Sequence, residues 1–214
     1  MFMKSLKILL FVSFICLSGC MRLRQIRYEP APNSYYLNPA KDLNRLGKVA
    51  LVELTSQSVL PALSMNITES LFQEIQKEQL FSLITIQQDD PAWKSLQLNN
   101  DGNYSFEELA LIRSILRCDG ILMGTITVFE PYPHLTIGLR LRLIDLEDGE
   151  LVWAMEQVWD TTDKTTQKRI EDYYSPKRII LKDEDLRGQL GSVSTLKFLK
   201  FVAHEITMTL HAGR

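Results

Sequence analysis

Between residues 135 and 143, Leu135, Ile137, Leu139, Leu141 and Leu143 alternate with Thr136, Gly138, Arg140 and Arg142. Successive side chains on a strand point to opposite sides of a sheet, so this alternation commits the segment to a half-buried β-strand with its arginines on the open face. Asp148-Gly149 is a tight-hairpin pair, and Leu151-Val152-Trp153 starts the returning strand. Ahead of it, Ile121 to Phe129 reads as another strand, and Pro131-Tyr132-Pro133 turns the chain. Three consecutive strands with one apolar face require helices to cover that face.

The rest of the chain supplies them. Leu46 to Leu54 is a nearly continuous apolar run, as in a strand buried on both faces. A polar loop around Pro61 precedes Asn66-Ile67-Thr68-Glu69, which has the form of a capping box opening a helix to about Gln79, with Ile67, Leu71, Phe72 and Ile75 inward. Phe81 to Ile86 is a second short strand. Ser105-Phe106-Glu107-Glu108 is another capping box, for a helix reaching about Arg117. Residues 160–192 are charged and weakly periodic, with a short helix from Lys164 to Tyr174. A final helix, about Val193 to Leu210, turns Leu196, Leu199, Val202, Ala203, Ile206 and Leu210 inward. The order β-α-β-α-β-β-β-α predicts an α/β fold, a mixed sheet flanked by helices, in a single globular domain spanning 46–214 with 160–192 as a charged insertion.

The N-terminus predicts where the domain is delivered. Lys4 and Lys7 precede an apolar run from Ile8 to Leu17. As helix that run is about 15 Å long, half of the roughly 30 Å bilayer core, so it reads as an export signal and not a spanning helix. The run ends in Leu17-Ser18-Gly19-Cys20, which resembles the cleavage box of bacterial lipoprotein signals. That resemblance implies removal of residues 1–19, and a diacylglyceryl group and an amide-linked acyl chain (palmitate-type) on Cys20. Several acyl chains hold a protein durably at a membrane. Met21 follows the cysteine where an aspartate would imply inner-membrane retention, so the expected place is the outer membrane, with the domain facing the periplasm. Residues 20–45 hold Arg22, Arg24, Arg27, Pro30, Pro32 and Pro39 without any period, and read as a flexible tether. Loss of residues 1–19 takes Lys4, Lys7 and Cys16 but no acid, so 195 residues remain and the formal charge of the 214-residue chain moves from −2 to −4. Cys118 is then the one cysteine without a lipid, no intrachain disulfide can form, and a core position is expected for it. A pI near 6.0 excludes a generally basic nucleic-acid binder.

No pattern carries catalysis. The stretch from Gln97 to Glu108 superficially resembles an EF-hand loop, with Gly102 sixth and Glu108 twelfth, but Gln97 stands where a carboxylate must anchor calcium. It reads as a turn leading into a capped helix. His204 and His211 are seven apart, about 10.5 Å along a helix, too far to share a zinc ion. With Glu205, Lys197 and Lys200 they read as a solvated face. Ser194-Thr195-Leu196-Lys197 has serine-lysine acyl-enzyme spacing without the companion motifs, so Ser194 is expected to cap the last helix. Phosphate-cradling and dinucleotide motifs are missing, and no metal or cofactor is expected.

The run from Leu116 through Asp119-Gly120 to Gly124-Thr125-Ile126, then Leu141-Arg142-Leu143-Ile144-Asp145, then Asp148-Gly149 through Trp153, resembles one envelope superfamily. It contains the curli-secretion lipoproteins and the lipoprotein activators of penicillin-binding proteins. The resemblance spans about 46–158 and implies a three-layer α/β sandwich with a mixed sheet. Gly120 and Gly124 are read as letting a strand start close under a helix. Two departures stand out: no spare pair of membrane-spanning hairpins, and a short tether. No functional residue beyond Cys20 is carried over. The resulting expectation is a non-enzymatic, lipid-anchored envelope protein that binds another envelope protein, as subunit or regulator, through a face bearing Arg140 and Arg142 with segment 160–192. Oligomerisation is left open. The alternative is a glycan- or small-ligand-binding lipoprotein using Trp153, Trp159 and the Tyr173-Tyr174 pair, for which core packing is the competing role.

Overall fold

The computed structural model describes residues 35–56, 61–97, 104–174 and 194–211. Strand β1 (Tyr35–Leu37) and a 3-10 turn (Leu43–Arg45) lead to β2 (Lys48–Val52), α1 (Pro61–Lys77), β3 (Ser82–Ile86), α2 (Pro91–Ser95) and α3 (Phe106–Leu116). The chain continues through β4 (Gly120–Glu130), β5 (Thr136–Asp145), β6 (Leu151–Asp160), α4 (Lys164–Tyr174) and α5 (Thr195–Thr209). The strands form one mixed sheet in the order β1-β6-β5-β4-β2-β3, with β2 parallel to β3 and β4 and the remaining pairs antiparallel. This is the α/β, helix-flanked mixed sheet expected from the alternation and the element order.

Strand β2 lies between two cores, which explains its continuous apolar run. Val49 and Leu51 face a core built with α1, α4 and α5, while Ala50 and Val52 face a smaller one built with α2 and α3. All four are at most 3% exposed. The larger core takes Ile137, Leu139, Leu141 and Leu143 of β5, each fully buried, as their alternation requires. Cys118 is buried in the smaller core, and burial pushes its thiol up to about 11, which makes it a poor nucleophile.

The capping box at Ser105 forms as read: its Oγ accepts from Glu108 N–H (3.3 Å), and the Glu108 carboxylate accepts from Ser105 N–H (2.7 Å). The one read at Asn66 does not. Helix α1 already begins at Pro61, whose fixed φ suits the first helical position, and Leu63 joins the stripe of Ile67, Leu71 and Ile75 one turn earlier. Thr68 lies inside the helix, its hydroxyl donating to Ser64 C=O (2.7 Å) and accepting from Leu54 N–H (3.1 Å).

The tether boundary also moves. Residues 35–37 form an edge strand on β6, with Tyr35, Tyr36 and Leu37 opposite Met155, Ala154 and Trp153. Lys41 then ties this segment to the β5–β6 hairpin, its Nζ 2.9 Å from Asp145 Oδ2, in contact with Asp148 and 3.7 Å from Glu150. These hydrogen bonds raise the Lys41 ammonium and lower Asp148. Segment 160–192 is likewise not an appendage as far as Tyr174: α4 forms over the residues read as helix, with Thr166 and Ile170 buried.

Gly124 owes its identity to a neighbouring strand and not to a helix. A Cβ there would stand 2.4 Å from the Arg140 C=O oxygen and 2.4 Å from Leu141 Cδ2. Gly120 likewise looks onto Val49 and Ile144 within the sheet. Gly124→Ala is expected to cost about 1–3 kcal/mol, by prying β4 from β5, as a drop in denaturant midpoint.

Candidate functional site: the uncovered half of the sheet

Helices α2 and α3 cover the second face of the sheet over β3, β2 and the start of β4. That cover reaches Ile144 at the end of β5 and Gly149 in the β5–β6 hairpin, and among the described residues no helix packs on that face over the rest of β5 and β6. The register sets its residues in rows: Thr125, Arg140 and Glu156 in one, Arg142, Ala154 and Tyr36 in another, Gly138 and Val158 in a third. Val158 is 55% exposed and Tyr36 47%. Arg140 and Arg142 do share this open face, as their spacing predicts, but differ in setting. Arg140 makes a bidentate pair with Glu156 (Nε–Oε2 2.9 Å, Nη2–Oε1 2.8 Å). Each partner favours the other's charge, so the guanidinium is raised and the carboxyl lowered. Arg142 is half-buried at the border with the helical layer.

There it helps line a cleft of about 410 Å³, counted out to open solvent, at the carboxyl ends of β2 and β3. The connections leave those two strands toward opposite faces, α1 to one and α2 to the other, which is the kind of place where an open α/β sheet forms a crevice. Glu53 and Gln88 clamp its mouth: Gln88 N–H donates to the Glu53 carboxylate (3.0 Å) and its side-chain amide to Glu53 C=O (2.7 Å). Thr55 bridges to Thr125 between hydroxyls (3.2 Å), and Trp93 and Tyr104 contribute aromatic walls. Neither Glu53, Gln88 nor Trp93 carries a sequence motif. The signal for Val158 was present, an apolar residue in phase with Glu156 and Ala154.

Other candidates settle elsewhere. Residues 160–174 do not share a face with Arg140 and Arg142, because α4 packs against α5 on the opposite side. The remainder of 160–192, the lipid-bearing Cys20, and residues 98–103 of the EF-hand-like stretch lie outside the described residues. Trp153 and Trp159 are fully buried. Their indole N–H groups donate to Thr209 Oγ1 (3.1 Å) and Glu205 Oε2 (2.8 Å). Neither ring can stack on a ligand, so the glycan reading loses both. Tyr173 is half-buried against Phe201 and His204, and the Tyr174 hydroxyl donates to Lys197 C=O (2.5 Å).

The solvated face read on the last helix is only half correct. Lys197 and Lys200 are exposed, whereas Glu205 is 3% exposed and the histidines turn toward α1. His204 Nδ1 is 3.9 Å from Glu74 and His211 Nε2 2.8 Å from Glu78. Burial lowers His204, against the pull of Glu74. Leu196, expected inward, is 51% exposed, and Phe198 and Phe201 take the core instead. Ser194 caps the helix, accepting from Lys197 N–H at 3.4 Å. Among the described residues, no group of three His, Cys, Asp or Glu is arranged to hold a metal ion, and no helix is long and apolar enough to cross a membrane.

No protein-family model and no curated protein matches the sequence. Solved structures similar to the chain include the PelC dodecamer from Paraburkholderia phytofirmans, with TM-score 0.42, 15% identity, and 59% of this chain and 78% of that chain covered. Lipoprotein GNA1162 from Neisseria meningitidis scores 0.44 at 13% identity, covering 61% and 96%. The LpoB C-terminal domain from Escherichia coli scores 0.36 at 21% identity, covering 52% and 82%. None of these scores reaches 0.5, so the fold assignment rests on the strand order and register above.

Proposed function

We propose that this chain is a non-enzymatic lipoprotein, anchored through Cys20 to the outer membrane with its domain in the periplasm, that binds another envelope protein as a subunit or regulator of an assembly. The observation that carries the reading is the uncovered half-sheet, where an exposed valine and tyrosine flank the Arg140–Glu156 pair. Exposed apolar side chains rimmed by charge are the usual composition of a protein-binding surface. The membrane part rests on the basic start, the apolar run and the Leu-Ser-Gly-Cys box.

Crosslinked cells should yield one stoichiometric envelope protein with the wild-type chain. Arg140→Glu, which sets two acids opposite each other on an exposed face, should lose that protein at only a small cost to stability. Retention of the partner by Arg140→Glu removes this face from the reading. Absence of any partner, with binding to isolated peptidoglycan, overturns the function itself. Cys20→Ala should be recovered soluble in the periplasm, and its persistence in the membrane overturns the anchor.

A further inference from the structure

Strand β3 is the sheet edge opposite β1, and it pairs with β2 over its whole length, Ser82 to Ile86 beside Lys48 to Val52. The chain enters it from α1 on one face and leaves it for α2 on the other, so neither sequence neighbour runs along its free side. Ser82 N–H donates to Gly47 C=O (2.9 Å), and Ile86 C=O accepts from Glu53 N–H (2.8 Å), which turns the even-numbered residues toward β2. The N–H and C=O of Leu83 and Thr85 therefore point away from the sheet, and among the described residues no hydrogen bond reaches them. Ser82 and Thr85 are exposed.

Exposed edges normally carry a device that stops pairing: a lysine or other charge, a proline, or a bulge. Strand β3 carries none of these. From Gln79 to Gln88 the sequence has no charge, proline or glycine, and the register on β2 is unbroken. Its residues suit a copy of themselves. Antiparallel pairing about Ile84 sets Leu83 of each chain opposite Thr85 of the other, and the outward N–H and C=O groups of both then close into hydrogen-bonded pairs. Ile84 meets Ile84 on the axis, Ser82 meets Ile86, and no charge meets a like charge. Ile84 is half-buried against the smaller core, and the second copy covers what is left. We infer that β3 is a self-association edge, joining two copies of this chain through Leu83, Ile84 and Thr85 into one sheet across a two-fold axis. The half-sheet bearing Arg140 and Val158 lies beyond β2 and β4 from this edge, so the inference stands apart from the partner proposed for that face.

Sedimentation of the full chain in density-matched detergent should show the mass double as concentration rises, and hydrogen exchange of the Leu83 and Thr85 amides should slow over the same range. Thr85→Pro removes an outward donor from each copy while sparing the bonds to β2. It should weaken the dimer about a hundredfold, roughly tenfold for each of the two bonds lost. Thr85→Lys keeps the donor and the exposed position but adds the charge that protects natural edges. It should stay monomeric with an unchanged circular dichroism spectrum, which keeps the test alive if the proline variant fails to fold. Thr85→Val keeps a β-branched residue and should still dimerise. A chain that is monomeric at every concentration overturns the assignment. So does protection of the two amides that ignores concentration, which would mean that the chain covers this edge itself. A dimer indifferent to both Thr85→Pro and Thr85→Lys forms elsewhere and overturns it too.

Discussion

Glu205→Ala should destabilise the domain by roughly 2–4 kcal/mol, through the unsatisfied indole it leaves and the cavity it opens. The residue lies on α5 with 3% exposure, Oε2 accepting from Trp159 Nε1 at 2.8 Å and Oε1 3.1 Å from Arg169 Nε. Burial pushes the carboxyl up to about 8, while the Arg169 guanidinium, itself lowered by burial, pulls against that rise. The native state therefore holds a proton that the unfolded chain releases near the ordinary glutamate value. Stability from this group is full below that value and is lost as pH rises toward 8, by at most about 1.4 kcal/mol per pH unit. Glu205→Gln keeps an acceptor for Trp159 and removes the titration. Chemical denaturation across pH 5–8 should show the wild type losing stability relative to Glu205→Gln. Parallel curves would mean that Arg169 holds the carboxylate ionised throughout.

Trp153→Ala should cost about 3–5 kcal/mol, the usual range for emptying a large aromatic site in a core. The ring is fully buried between β5, β1 and α5: Leu143 and Leu37 stand opposite it in the sheet, and its N–H reaches Thr209. Thr209→Val removes only the hydrogen-bond partner and should cost about 1 kcal/mol. The difference between the two separates packing from polar satisfaction. A small loss for Trp153→Ala would mean that α5 closes onto the sheet without the ring.

The sheet was legible because its signals are local. Alternation over 135–143 and the Ser105 capping box each act through neighbours in sequence and appear where they were read, whereas Asp148-Gly149, read as a tight hairpin, lies in a longer loop between Asp145 and Leu151 in which Gly149 alone takes a positive φ. The candidate site was legible in part. Arg140 and Arg142 fall on one face by periodicity alone, but their different settings come from Glu156 across the strand and from the border with the helical layer. Helix α5 went wrong where its surroundings mattered: a three-and-four spacing marks one apolar stripe, whereas packing between the sheet, α1 and α4 buries nearly its whole circumference. That is why Leu196 and Phe198 exchange roles and Glu205 enters the core.

By itself the sequence determined an α/β chain with a mixed sheet, a buried central strand and a lone core cysteine, and it pointed to a lipid anchor before the domain. Only the tertiary structure decided that residues 35–37 belong to the sheet and that, among the described residues, no helix covers the half-face around Arg140 and Val158. Those facts depend on which strands and helices meet across long separations, and no local periodicity encodes a partner that is absent from the strand's own neighbourhood.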